Sequence, residues 1–196
     1  ETAEIVVARA ALHMWEEPPI SGKNGSGAVF FSGCSLKCCF CQNYQISHEG
    51  FGREITEKRL SEIFLELQDK GANNINLVNP THYVYQIINS LDMVKYRLHI
   101  PVVYNSGGYE RTETLQLLQD YVDIYLPDMK YFSSELSARY SKASDYFEYS
   151  SKAVLEMHRQ QPELIWEGDM LKKGLVIRHL IPVSYTHLRA HETRSN

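Results

Sequence analysis

The feature that most constrains this chain is an alternation of short Val/Ile/Leu-rich runs with longer segments of helical period. Ala28-Val-Phe-Phe-Ser32, Ile75-Asn-Leu-Val78, Pro101-Val-Val-Tyr104, Val122-Asp-Ile-Tyr-Leu126 and Leu175-Val-Ile-Arg-His-Leu-Ile181 read as five buried strands. Between them lie amphipathic patterns. In the first, Thr56 is the expected N-cap, Leu60, Ile63, Phe64 and Leu67 recur at i, i+3, i+4 and i+7, and Gly71 stands where a C′ glycine belongs. Ile87, Ile88, Leu91 and Val94 mark a second helix, Leu115, Leu117 and Leu118 a third, and Phe147, Val154, Leu155 and His158 a fourth. Nearly continuous apolar strands joined by helices are βαβ units, which build a parallel sheet covered on both faces. The pattern predicts an α/β fold. Alone, it does not separate a doubly wound sheet from a barrel.

Length and composition bound the rest. A chain of 196 residues, 43% apolar and 22% charged, suits one globular domain with a substantial core. A formal charge of −4 provides no electrostatic footprint for nucleic acid. No run approaches the roughly 20 apolar residues that span a bilayer, and Glu1-Thr-Ala-Glu4 does not lead into a secretory signal. A cytoplasmic protein without nucleic-acid or membrane partners is the expectation, cut from a longer reading frame because no initiating Met is present. The alternation stops near Val183. The string from Val183 to Asn196 has no period and reads as a non-native tail resembling translated sequencing adapter; a polar disordered tail is the competing reading. The expected folded unit is therefore residues 1–182, with 183–196 set aside.

All four cysteines fall between Cys34 and Cys41. A disulfide framework joins distant segments, so this bunching points instead to a metal or cluster site in a reducing compartment. Cys34, Cys38 and Cys41 form a C-x3-C-x2-C pattern directly after a strand. Three thiolates on one loop can hold three irons of a [4Fe–4S] cubane, which ordinarily takes four, and leave one iron open to a small chelating molecule. Two alternatives stand beside this: a zinc site completed by Cys39 or His48, and a cluster that does no catalysis and only carries or senses electrons. Cys39 is expected to face away as a small apolar side chain, because adjacent residues rarely point at one metal.

The run Phe31-Ser-Gly-Cys34-Ser-Leu-Lys-Cys38-Cys39-Phe-Cys41-Gln-Asn43 strongly resembles the cluster loop of radical S-adenosylmethionine (SAM) proteins. Over roughly residues 10–181, Leu12-His-Met-Trp-Glu-Glu-Pro-Pro-Ile-Ser21, Asn76-Leu-Val-Asn-Pro-Thr-His-Tyr83 and Val103-Tyr-Asn-Ser-Gly-Gly-Tyr-Glu110 resemble the branch related to pyruvate formate-lyase activating enzyme. The resemblance implies a partial (β/α)6 TIM-like barrel of the radical SAM type, truncated after about the fifth core strand. It also implies a [4Fe–4S] cluster on Cys34, Cys38 and Cys41, with SAM cleaved reductively to a 5′-deoxyadenosyl radical. The hydrogen donor would be a glycine of a partner glycyl radical enzyme, and the electron donor a flavodoxin- or ferredoxin-like protein.

Individual positions follow from the same resemblance. Phe40 matches a residue whose backbone meets the adenine. Asn79, in Asn79-Pro-Thr-His82, stands where the family carries a Gly-Gly-Glu motif for the SAM amino group, a pattern from which this chain departs. Asn105 and Ser106 align with a polar pair at the SAM and monovalent-cation site. Asp128 and Lys130 match an Asp-x-Lys element, and Arg178 an arginine reaching toward SAM. Most of these positions lie at or just past strand ends, where parallel α/β folds place their sites, whereas Arg178 is expected inside its strand. The competing readings are a surface ion pair for Asp128 and Lys130, turn residues for Asn79 and Asn105, and a structural carboxylate partner for Arg178. His82, His99, His158 and His179 lack ligand spacing and are expected to be structural.

Overall fold

The computed structural model describes residues 5–179. Its strands are β1 (Ile5–His13), β2 (Ser26–Phe31), β3 (Arg53–Ile55), β4 (Ile75–Val78), β5 (Val102–Ser106), β6 (Ile124–Pro127), β7 (Ile165–Glu167) and β8 (Met170–Leu175). Its α-helices are α1 (Pro18–Ser21), α2 (Tyr44–His48), α3 (Glu57–Asp69), α4 (Val84–Val94), α5 (Thr112–Gln116), α6 (Ser134–Ser141) and α7 (Tyr146–Gln160). They form one mostly parallel sheet in the order β3-β1-β2-β4-β5-β6-β8-β7.

β2, β4, β5, β6 and β8 are parallel and adjacent in chain order. A doubly wound sheet reverses its order at a switch point. Here the order advances in one direction, which the alternation of runs left open. The antiparallel strands lie at the margins: β1 pairs with β2 and β3, and β7 with β8.

Strand alternation sorts the two faces. Ile75 and Leu77 pack with Leu60, Phe64, Leu67, Ile87 and Leu91 in the core under α3 and α4, while Asn76 between them reaches the opposite face. On that face Val103, Ile124 and Leu126 pack with Leu171 and with Ile20 of α1. The α3 boundaries follow from local chemistry. The Arg59 backbone N–H donates to Thr56 Oγ1, and Gly71 takes a left-handed φ of 83°.

Three expectations need correction. The fifth parallel strand was expected over 175–181, but its ladder runs Met170–Leu175, and Arg178 continues it only as an isolated bridge to Asp128. The early start reflects the β7–β8 hairpin, which turns at Gly168 with φ 58°. The fourth helix exists, but its buried residues are Tyr146, Ser150, Ala153, Glu156 and Met157, and Leu155 is 69% exposed. The third is a short helix in which Leu115 packs inward; Leu117 is exposed and Leu118 buried just beyond it. β1 and its antiparallel pairing were not anticipated. Residues 180–196, including the end of the expected fifth strand and the whole set-aside tail, lie outside the described residues.

Gly108, after β5, has φ 74°, and a Cβ there would run into the Asp128 carbonyl oxygen; at Gly71 a Cβ would meet nothing within 4 Å. Gly71→Ala is therefore predicted to cost the left-handed penalty alone, about 1–2 kcal/mol. Gly108→Ala must in addition push two site loops apart and should cost at least twice as much in urea denaturation. Equal losses would contradict this account of Gly108.

Candidate functional site

The cysteine loop leaves β2 and is held from three sides. Gly33 N–H donates to the Ile46 carbonyl at 2.9 Å, Lys37 N–H to Ser141 O at 3.0 Å, and Cys39 N–H to Tyr140 O at 2.9 Å. The Asn79 side-chain amide donates to the Gly33 carbonyl. Asn79 also adopts φ 58°, a left-handed conformation that Asn tolerates better than most residues. It is thus a strand-end turn residue that also fastens the loop. His82 Nε2 lies 2.5 Å from the Ser32 carbonyl and serves the same loop structurally.

A cavity of about 720 Å³ opens between this loop and the carboxyl ends of the parallel strands, within the usual size range of small-molecule sites. Cys34, Cys38 and Cys41 line it together with Phe40, Asn79, Asn105, Ser106, Asp128, Lys130 and Arg178. All ten residues nominated from the sequence therefore face one space. Cys39 does not line it, and it is exposed rather than packed as an apolar side chain, which corrects the second half of that expectation.

Burial pushes the Cys34 and Cys38 thiols up from the ordinary value, opposed at Cys34 by the Leu36 backbone hydrogen bond, at Cys38 by the Ser141 hydroxyl, and at both by Lys130. Among the described residues, no three His, Cys, Asp or Glu side chains converge closely enough to hold one metal ion. Thiolates of a cubane bind different irons and stand farther apart. His48, once a candidate fourth ligand, meets Ser47 Oγ through Nδ1 at 2.8 Å. Three soft thiols on one cavity wall, with Cys39 turned away, fit a cluster with one iron left open.

Charge occupies the floor of the cavity. Glu16, on the segment between β1 and α1, accepts from Asn76 Nδ2 at 2.9 Å, Asn105 Nδ2 at 3.1 Å and Arg178 Nη1 at 2.9 Å. Arg178 Nη2 donates to Asn105 Oδ1 at 2.6 Å. Arg178 Nε lies 3.0 Å from Asp128 Oδ1 yet is not aligned to donate, so that contact is charge attraction without a hydrogen bond. Asp128 Oδ2 accepts from Lys130 Nζ, and the two side chains are only 20% and 11% exposed, which rules out a surface ion pair. Two acids thus balance two bases. Sequence reasoning missed Glu16 and Asn76 as members of this group. The available signal was the arginine, because a buried guanidinium requires a carboxylate.

A second unforeseen residue sits behind the strand ends. Glu110 is 2% exposed and accepts from Thr81 Oγ1 at 2.7 Å and from the Tyr104 hydroxyl at 3.2 Å, tying the loop after β4 to that after β5. Burial pushes its carboxyl up to about 7, against hydrogen bonds from Thr81, Ser106 and Tyr104. The Tyr146 hydroxyl joins the next pair of loops, accepting from Lys130 N–H at 3.0 Å and lying 2.8 Å from both the Gly107 and Asp128 carbonyls.

A raised carboxyl pKa means that the folded state holds a proton which the unfolded state has released. Glu110 therefore favours folding fully below the ordinary carboxyl range, and its contribution is lost as pH rises to about 7. Glu110→Gln keeps a neutral amide there at every pH. Urea midpoints at pH 5 and pH 8 should show the variant gaining on the parent by up to about 3 kcal/mol at the higher pH. Parallel pH profiles would contradict the assignment.

Two comparisons place this arrangement among known proteins. The family model described as the radical SAM superfamily matches residues 28–165, from β2 and the cysteine loop to the start of β7. An uncharacterized protein of Methanocaldococcus jannaschii is 31% identical over 179 residues, which is 87% of this chain and 47% of that protein. The chain spans about half the length of the curated relative it matches.

Proposed function

The chain belongs to the radical SAM superfamily, and from that premise we propose that it holds a [4Fe–4S] cluster on Cys34, Cys38 and Cys41 and cleaves SAM to a 5′-deoxyadenosyl radical. The observation that carries this reading is the sharing of one cavity by three thiols of a single loop and the charged strand ends opposite them. When bound, the cluster would supply the single electron that reductive cleavage of the SAM sulfonium requires.

The chain's own residues have separable tasks in this reading. Lys130, and Arg178 with its fork held by Glu16 and Asn105, supply the positive charge on the wall that faces the methionyl carboxylate. Asp128 and Asn105 offer oxygens to the ammonium group or to a monovalent cation, and Asn79 and Ser106 offer further polar contacts. Phe40 provides backbone and an apolar edge for the adenine. Phe30, Leu36 and Val176 line the same cavity and exclude water from it.

We assign the chain to the branch related to pyruvate formate-lyase activating enzyme, with its five parallel strands forming part of a (β/α)6 barrel. The substrate in that reading is a glycine of a partner glycyl radical enzyme, and the reductant is a flavodoxin- or ferredoxin-like donor. A reducing cytoplasm suits the exposed Cys39 and the free thiols. Among the described residues, no helix is long and apolar enough to cross a membrane.

Anaerobic reconstitution with iron and sulfide tests the proposal. The chain should take up both in equal amounts and, under dithionite, form 5′-deoxyadenosine from SAM. Cys34→Ala, Cys38→Ala and Cys41→Ala should each lose the cluster while Cys39→Ala keeps it. Uptake of zinc alone, or equal loss in Cys39→Ala, would overturn the ligand assignment.

A further inference from the structure

Two of the three cysteine sulfurs are approached by a serine hydroxyl that is itself held by a second polar group. Ser141 Oγ donates to Cys38 Sγ at 2.9 Å and lies 2.8 Å from the Tyr131 hydroxyl. On the other side of the loop, Ser47 Oγ lies 3.2 Å from Cys41 Sγ and 2.8 Å from His48 Nδ1. Ser141 is 1% exposed, Ser47 6% and Tyr131 5%. Buried hydroxyls of this kind are committed to particular partners.

Proton counting fixes the direction of each chain. A cysteine sulfur bound to iron carries no proton and can only accept. Each serine must then spend its one proton on sulfur, and its oxygen must accept from the group behind it. Tyr131 O–H therefore donates to Ser141, and His48 Nδ1 carries the proton that Ser47 accepts. The Tyr44 carbonyl, 3.4 Å from Ser47 Oγ, is a longer rival for that proton.

We infer that Tyr131–Ser141 and His48–Ser47 are two hydrogen-bond relays that raise the reduction potential of a cluster held on Cys38 and Cys41; this rests on the cluster-binding reading above. Reduction adds negative charge to the sulfurs, so a hydrogen bond to sulfur strengthens in the reduced state and favours it. The outer donor polarises each hydroxyl and prevents it from turning away. The Ser141 relay is the shorter and drier of the two, so its influence is the larger.

EPR-monitored redox titration of the reconstituted chain tests this. Ser141→Ala should move the midpoint to more negative potential, Tyr131→Phe should move it less in the same direction, and Ser47→Ala should act similarly and add to Ser141→Ala. Tyr131→Phe keeps the ring in its T-shaped contact with Tyr146, centroids 5.5 Å apart, and carries the test if Ser141→Ala does not fold. Pulsed EPR in D2O should show an exchangeable deuteron coupled to the reduced cluster that is lost in Ser141→Ala. Unmoved midpoints at normal cluster content would overturn the relays alone. A parent chain that takes up no cluster would overturn both readings.

Discussion

A guanidinium placed beneath a cavity cannot be left unpaired, and Arg178 is the charge around which this site is assembled. Stripping a charge of water costs several kcal/mol unless partners replace the lost solvation. Arg178 finds them in Glu16, from the segment after the first strand, in Asn105 at the end of β5, and in Asp128 just past β6. Residues 162 positions apart in the chain are thereby joined. The same contacts bring the loop after β1 under the strand ends, and Asp128 in turn holds Lys130.

The opposite wall owes its shape to backbone contacts. The cysteine loop contains little regular structure of its own, yet it takes partners from Ile46, Asn79, Tyr140 and Ser141. Gly108 lets the β5 loop lie against the Asp128 carbonyl, and Tyr146 closes the gap between them. One wall is therefore soft and sulfur-bearing and the other hard and charged. A molecule carrying both a sulfonium and an amino-acid head group suits that division.

What the sequence revealed divides along the range of the interactions involved. The α3 boundaries were legible because a threonine cap and a left-handed glycine act within one turn. The four residues of β4 were legible as a run bounded by polar turns. The start of β8 was not, because its first residues are stabilised by a hairpin partner rather than by their own apolar character. Leu155 misled the reading of α7, since an apolar residue at the right spacing still faces water when no element covers it. The ten candidate site residues converge on one cavity because parallel winding collects strand ends. Glu16 and Glu110 escaped notice because their roles exist only once partners 162 and 29 positions away are folded against them.

The central claim is that the three-thiol site leaves one iron for an amino-acid head group to chelate. Electron–nuclear double resonance on the reduced, reconstituted chain with SAM labelled by 15N at its amino group tests this directly. The account predicts a nitrogen hyperfine coupling that appears with labelled SAM and changes with the isotope. A reduced cluster whose spectrum is indifferent to SAM, with no such coupling, would contradict it.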